Sequence, residues 1–339
     1  MNPKALVTRG DGVLCLEERP PLAAAPGELI VAPRTVGLCG TDLELIDGAI
    51  DPAYVRYPLV IGHEWTGVVA SSNSSAFSPG DWVVVEGIVP CRHCANCASG
   101  ATNICETYAE LGFTFDGAAA DEVRVRADLA HRIAPHIPSD DAAMVEPASV
   151  VYHGLSRIVE RPGLECLVVG DGTIGLFAVQ LLALWSPSRI VMAGKRPEQA
   201  ALARAAGADE FLETAPERAF DLVVEAAGTP AAVNNALGAA RRGGCVLLLG
   251  LPPHGTSTPV AVDDLVNGDL VIRASFAYTS AAWSRVVALI NAGRIHPGVV
   301  VTHRYSLDEH KSAIAALRTP SPGEARGKVV LDLPAGIRS

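Results

Sequence analysis

Residues 165–185 read ECLVVGDGTIGLFAVQLLALW, and this stretch decides the fold. Glu165–Val169 is a short, valine-rich run introduced by the turn pair Pro162-Gly163, a pattern that predicts a strand buried on both faces. It leads straight into Gly170-Asp171-Gly172-Thr173-Ile174-Gly175 and then into an apolar helix. Glycine triplets are common, but one set between a strand and a helix is informative. Gly170 permits the tight turn, Gly172 lets a pyrophosphate approach the backbone, and Gly175 allows helix and strand to pack closely. The helix start at Thr173 and Ile174 then offers N–H groups and a partial positive charge to the phosphates. The competing reading is a glycine-rich turn with no ligand.

Beyond this stretch, strand-like runs recur at Arg189–Met192, Asp221–Glu225 and Cys245–Leu249, separated by the helical segments Pro197–Ala206 and Pro230–Ala240. Such alternation predicts an α/β domain with a Rossmann-type, doubly wound parallel sheet, over residues 150–281. Leu249, at the end of the third run, belongs with the residues expected to bind the dinucleotide. The second strand carries the choice of cofactor. A site for an unmodified ribose expects Asp or Glu about 20 residues beyond the fingerprint. This chain has Gly194 there, followed by Lys195 and Arg196. An acid would repel a 2′-phosphate, whereas two cations attract it, so NADP(H) is favoured over NAD(H). The alternative is that Lys195-Arg196 is only a solvated turn.

Residues 1–149 have a different texture. Short apolar runs such as Glu28–Val36, Gly67–Ala70 and Asp81–Glu86 are broken by Gly, Pro and Asp turns, which predicts a mostly antiparallel, barrel-like domain. Residues 282–339 are expected to return to it through a helix and a last strand, Gly327–Leu333. Within this domain Val36–Asp42 reads VGLCGTD and Pro58–Gly67 reads PLVIGHEWTG. Cys39 and His63 are potential metal ligands, Glu64 follows directly, and Asp42 is placed to take the N–H of a ligating histidine. By themselves Cys39 and His63 would read as ordinary buried residues. Cys91, Cys94, Cys97 and Cys105 are far more specific. Four thiolates in C-RH-C-AN-C-ASGATNI-C suit one tetrahedral zinc with no open position. His93 inside the cluster reads as a bystander.

Composition bounds the rest. The 339 residues exceed what one core usually holds, and 49% apolar with 19% charged residues describes a well-packed protein. A net charge of −10 argues against nucleic acid as a partner. The start, MNPKALVTRG, has no apolar signal core and no run long enough for a membrane span follows. A cytoplasmic location is therefore expected, with cysteines reduced or metal-bound.

With VGLCGTD, GHEWTG, the four-cysteine lobe, VEPASV at 145–150, the glycine fingerprint and the terminal GKVVL at 327–331, the sequence resembles the zinc-dependent medium-chain alcohol dehydrogenases, nearer their sorbitol and polyol branch. The resemblance covers nearly the whole chain. It implies a GroES-like catalytic domain and a catalytic zinc held by Cys39 and His63, with Glu64 nearby and Glu146 as a direct or water-mediated ligand. It also implies a structural zinc on the four cysteines, Thr41 as the hydroxyl that passes on the alcohol proton, and Lys328 at the cofactor's pyrophosphate. A homodimer or homotetramer acting on a small alcohol or ketone is expected from the same source. Besides the missing acid at Gly194, two positions depart from the family pattern. Glu44 stands where a relay histidine is common, and Ser275-Phe276-Ala277-Tyr278 lacks the arginine that helps hold a polyol. The expected activity is hydride transfer between NADP(H) and a secondary alcohol or ketone of polyol, sugar or cyclitol type. The rivals are an NAD-linked enzyme for a less polar alcohol and a non-catalytic dinucleotide sensor.

Overall fold

Glu165–Val169 lies at the middle of a six-stranded sheet, flanked by Arg189–Ala193 on one side and Phe220–Glu225 on the other. Glu210–Leu212 extends the first side, and Ala240–Leu248 and then Val271–Ala274 extend the second. All pairs are parallel. Numbered along the chain the order is 3-2-1-4-5-6, the doubly wound dinucleotide fold that the strand–helix alternation predicts. This computed structural model describes residues 2–158, 161–253, 255–319 and 321–334.

The helix Thr173–Leu182 follows the first strand and is buried nearly all round, from Gly175 to Val179 and again at Leu181 and Leu182. Its apolar character therefore comes from packing rather than from an amphipathic face. A Cβ added to Gly175 would meet the Gly170 carbonyl oxygen at 1.9 Å, so glycine is obligatory where helix and turn touch. Gly170 itself has φ +118°, outside the range of L side chains. The core of this sheet is built from Leu167, Val169, Val191, Val223 and Val246, with Ala232 and Ala236 of the helix Pro230–Ala239 packed on them.

By its contacts the chain divides into one unit of residues 1–146, 279–321 and 328–339, and a second of 147–278 and 322–327. The first is mostly antiparallel. Glu28–Leu38 is its central strand, pairing antiparallel with Glu64–Ser72 on one side and with Lys328–Asp332 on the other. Trp82–Val85 and Ala130–Arg132 continue the sheet, and Val123–Arg126 also pairs with Glu28–Leu38. A three-stranded sheet of Leu14–Glu18, Lys4–Thr8 and Leu59–Val60 completes it. Leu29, Val31, Val36, Trp65, Val83 and Leu331 alternate inward and form the core. Among the described residues no helix is long and apolar enough to cross a membrane.

Candidate active site

Three strand ends converge in the first unit. Glu28–Leu38 ends just before Cys39, Glu64–Ser72 begins just after His63, and Lys328–Asp332 begins with Lys328. Register brings them together, because Gly37 faces Glu64 across one ladder and Val330 across the other. Sequence distance hides this completely. Cys39 caps the short helix Gly40–Ile46, and its backbone N–H donates to Asp42 Oδ2 at 2.8 Å. Asp42 is fully buried, and its other oxygen lies 3.6 Å from His63 Nδ1. That separation is an ion-pair distance and too long for a hydrogen bond. The His63 ring also packs at 5.3 Å from that of Phe113.

A thiol sulfur of Cys39, a ring nitrogen of His63 and a carboxylate oxygen of Glu64 lie within 4.8 Å of one another. Glu146 is outside that distance set but is buried and feels the same charges. Burial, and after it the Glu64 carboxylate, raises the Glu146 pKa well above the usual carboxylate range. Thr41 Oγ1 sits 3.7 Å from Cys39 Sγ, whereas Glu44, three residues further on, is exposed. The donor set fits a borderline-soft metal such as zinc. Sulfur, imidazole and carboxylate are its usual partners.

Lys328, which the family resemblance puts at a pyrophosphate, is 3% exposed and donates to Glu64 Oε1 at 2.6 Å. Its ammonium also pairs with Glu64 Oε2. Gly37 makes room for this pair, since a Cβ there would lie 2.3 Å from Glu64 Oε2 and 3.2 Å from Lys328 Cε. Gly37→Ala is therefore expected to disturb Glu64 and lower turnover, with a smaller effect on cofactor-fragment binding. Equal activity in the Gly37→Ala enzyme would mean that the pair can shift without consequence.

The four cysteines form a second cluster, with all four sulfurs within 4.8 Å of one another and none in a disulfide. Cys91 and Cys97 sulfurs are 3.9 Å apart. A tetrahedron with zinc–sulfur bonds of about 2.3 Å has edges of about 3.8 Å, so the spacing suits one zinc. The Cys94 and Cys97 backbone N–H groups point at the sulfurs of Cys91 and Cys94, both at 3.4 Å. Backbone N–H groups, that of His93 foremost, draw the Cys91 thiol below its ordinary range. The His93 ring is exposed and bonded to the Cys91 carbonyl rather than turned into the cluster.

In the second unit the helix Thr173–Leu182 starts at Gly172 with no side-chain cap. A Cβ at Gly172 would meet nothing within 4 Å, so there is open space beside the start of this helix, where the first N–H groups have no intrahelical partner. This fits a dinucleotide pyrophosphate. Lys195 is exposed, Arg196 is half-buried, and Leu249 is half-buried just past Ala240–Leu248. Three residues near these groups are not singled out by the sequence motifs. Glu110, buried and bonded by the Tyr108 hydroxyl at 2.6 Å, acts electrostatically on His63 and Glu146. Asp171 and Arg326 gather at Arg196. Only Asp171 had a visible clue, an acid between two fingerprint glycines.

A dinucleotide fold and a sulfur–imidazole–carboxylate pocket in one chain describe a metal-assisted nicotinamide oxidoreductase. Comparison with known proteins narrows this. Residues 25–135 match the alcohol dehydrogenase GroES-like domain, and residues 173–292 match the zinc-binding dehydrogenase domain. D-arabinitol dehydrogenase 1 of Uromyces fabae is 31% identical over 85% of this chain and 86% of its own length. Sorbitol dehydrogenase of Bacillus subtilis (strain 168) is 29% identical over 92% and 93%. A zinc-binding dehydrogenase of Sinorhizobium meliloti 1021, solved bound to NADP, superimposes with a TM-score of 0.90 at 25% identity, over 98% of this chain and 99% of that one. The chain thus belongs to the zinc-dependent alcohol dehydrogenases of the medium-chain family, and it is an enzyme that uses a nicotinamide cofactor.

Proposed function

We propose that this enzyme oxidises a secondary alcohol of polyol, sugar or cyclitol type, and reduces the corresponding ketone, with NADP(H) as the preferred carrier. The observation that carries this reading is the Cys39–His63–Glu64 donor set, gathered within 4.8 Å beside buried Glu146. The D-arabinitol and sorbitol enzymes among its relatives support the polyol class. Cys39 and His63 would hold the catalytic zinc, with Glu146 joining directly or through water and Glu64 at close range. Asp42 lies on the Nδ1 side of His63, which leaves Nε2 as the ligating nitrogen. Cys91, Cys94, Cys97 and Cys105 would hold a structural zinc. When bound, the catalytic ion supplies a Lewis acid that lowers the cost of an alkoxide near neutral pH. The nicotinamide supplies the hydride acceptor.

The protein's part is positioning and proton movement. Asp42 fixes the His63 ring, and Lys328 balances Glu64 so that two carboxylates can stand near one another. Thr41 Oγ1, next to Cys39, receives the alcohol proton. The exposed Glu44 side chain makes solvent the simplest destination after Thr41. Thr41→Val keeps the volume and removes the hydroxyl. It is expected to lower kcat about a hundredfold with cofactor binding unchanged. Normal turnover would move the relay to another group.

Metal analysis tests the reading as a whole. Fully active enzyme is expected to contain two zinc ions per chain, and chelation should abolish turnover before the fold is lost. Four thiolates bind tightly and leave no open position, whereas the catalytic site keeps one. One zinc or none in fully active protein would overturn the proposal. A panel of polyols, sugars and cyclitols with both cofactors names the substrate class. The expected homodimer or homotetramer belongs to the same reading and is checked by light scattering.

A further inference from the structure

The Gly194-Lys195-Arg196 corner contains an acid that the cofactor motif does not account for. Asp171 stands between the first two fingerprint glycines, yet its side chain reaches across to the end of the second strand. A Cβ built on Gly194 would lie 2.4 Å from Asp171 Cβ and 2.4 Å from its Oδ2. The carboxylate thus occupies the place where a side chain at 194 would be. Both of its oxygens are engaged by one residue. Oδ1 accepts from Arg196 Nε at 3.0 Å and Nη2 at 2.7 Å, and Oδ2 accepts from the Arg196 backbone N–H at 3.0 Å. The Asp171 carbonyl takes a further bond from Nη2 at 3.0 Å.

A buried amide fixes the surroundings. Gln199, at 0% exposure, donates Nε2 to the Asp171 carbonyl at 2.7 Å and to the Arg326 carbonyl at 2.9 Å. Its Oε1 accepts from the Arg326 backbone N–H at 2.8 Å. The glycine loop, the turn after the second strand and the segment 322–327 are therefore one rigid corner of the second unit. The Arg326 backbone is thereby fixed at this corner, and burial, then the charge of Arg196, lowers the Arg326 pKa. A guanidinium has five N–H donors in a fixed fork. Asp171 uses the Nε and Nη2 side, and the Nη1 side is left over. Asp171 cancels one cation, so Lys195, Arg196 and Arg326 still leave the corner positive.

We propose that Asp171 is a positioning residue for cofactor choice. It pins the Arg196 guanidinium by its Nε–Nη2 edge, so that the Nη1 edge, together with Arg326 and Lys195, seats the 2′-phosphate of NADP. Gly194 is glycine because the Asp171 carboxylate fills the space of its side chain. This rests on the NADP(H) preference proposed above. It also means that Gly194→Asp cannot simply install a ribose-binding acid, since the new side chain would collide with Asp171.

Calorimetric titration of the full-length protein with 2′,5′-ADP and with 5′-AMP tests this without turnover. The unsubstituted protein is expected to bind 2′,5′-ADP at least about tenfold more tightly than 5′-AMP. Asp171→Asn is expected to weaken 2′,5′-ADP about tenfold while changing 5′-AMP less than about threefold. In an Arg196→Ala background the same substitution should have almost no further effect on 2′,5′-ADP, because Asp171 acts through Arg196. Loss of a carboxylate would, by charge alone, tighten phosphate binding. Tighter 2′,5′-ADP binding in Asp171→Asn therefore overturns the positioning role. Equal weakening of both ligands would make Asp171 a merely structural loop residue, and also overturns it. If the unsubstituted protein binds 5′-AMP as well as 2′,5′-ADP, the NADP(H) preference itself fails and this inference falls with it.

Discussion

His63→Ala is expected to lower kcat/KM by at least about a thousandfold while leaving 2′,5′-ADP binding nearly intact. Loss of residues that only orient metal ligands already costs about 10–100-fold, and here a direct ligand would be removed. Several features concentrate the effect on His63. It is 6% exposed, packed on Phe113, and held on one side by fully buried Asp42. Gly62 before it has φ +99°, and a Cβ there would meet the Ala119 backbone nitrogen at 2.9 Å, so the approach to His63 is fixed by the backbone. A water molecule cannot reproduce a ligand held this way. Zinc content should fall by one ion per chain, and the four-cysteine site should keep the other. The dinucleotide fingerprint belongs to the second unit, which is why fragment binding is the control. A His63→Ala enzyme with undiminished turnover would place the chemistry elsewhere.

The parts of this protein that were legible in its sequence are those encoded over short distances. The Glu165–Gly175 run announces its strand, turn and helix because each glycine answers a local requirement. The cysteine lobe is equally local, with four sulfurs drawn together by loops of a few residues. Cys39, Thr41 and Asp42 share the turn that opens Gly40–Ile46, yet the helix itself was not foreseen. Seven residues following a cysteine give too little periodicity to mark it. The sites fail to show where chemistry depends on residues far apart in sequence. Glu64 and Lys328 are 264 positions apart, and only the two ladders on Glu28–Leu38 make them neighbours. Glu110 is followed by a loop with no spacing rule. In the sequence, the missing acid at Gly194 speaks to phosphate repulsion and to the absent ribose contact. In the structure it is also steric, because the Asp171 carboxylate stands in its place.

Lys328→Met should produce a large loss of stability for a single substitution in the first unit. Lys328 and Glu64 are 3% and 1% exposed, and the ammonium bonds Glu64 Oε1 at 2.6 Å. Burial alone would pull the lysine toward its neutral form, but Glu64 and then Cys39 outweigh it and raise the Lys328 pKa above the ordinary lysine range. The lysine is therefore held in its charged form. Methionine has nearly the same reach and fills the space left by the aliphatic stem, so little cavity is created. What remains is a buried Glu64 carboxylate that has lost its lysine counter-charge. Removing one partner of a buried ion pair costs about 3–5 kcal/mol, because the other is stranded in low dielectric. Replacing both by neutral groups is often close to neutral. Glu64→Gln with Lys328→Met should accordingly recover most of the stability that Lys328→Met loses. Urea unfolding at equal zinc loading, with m-values compared, separates this from a change in the unfolded state. The double substitution being no more stable than Lys328→Met would assign the loss to packing of the lysine stem, and the charge argument would fail.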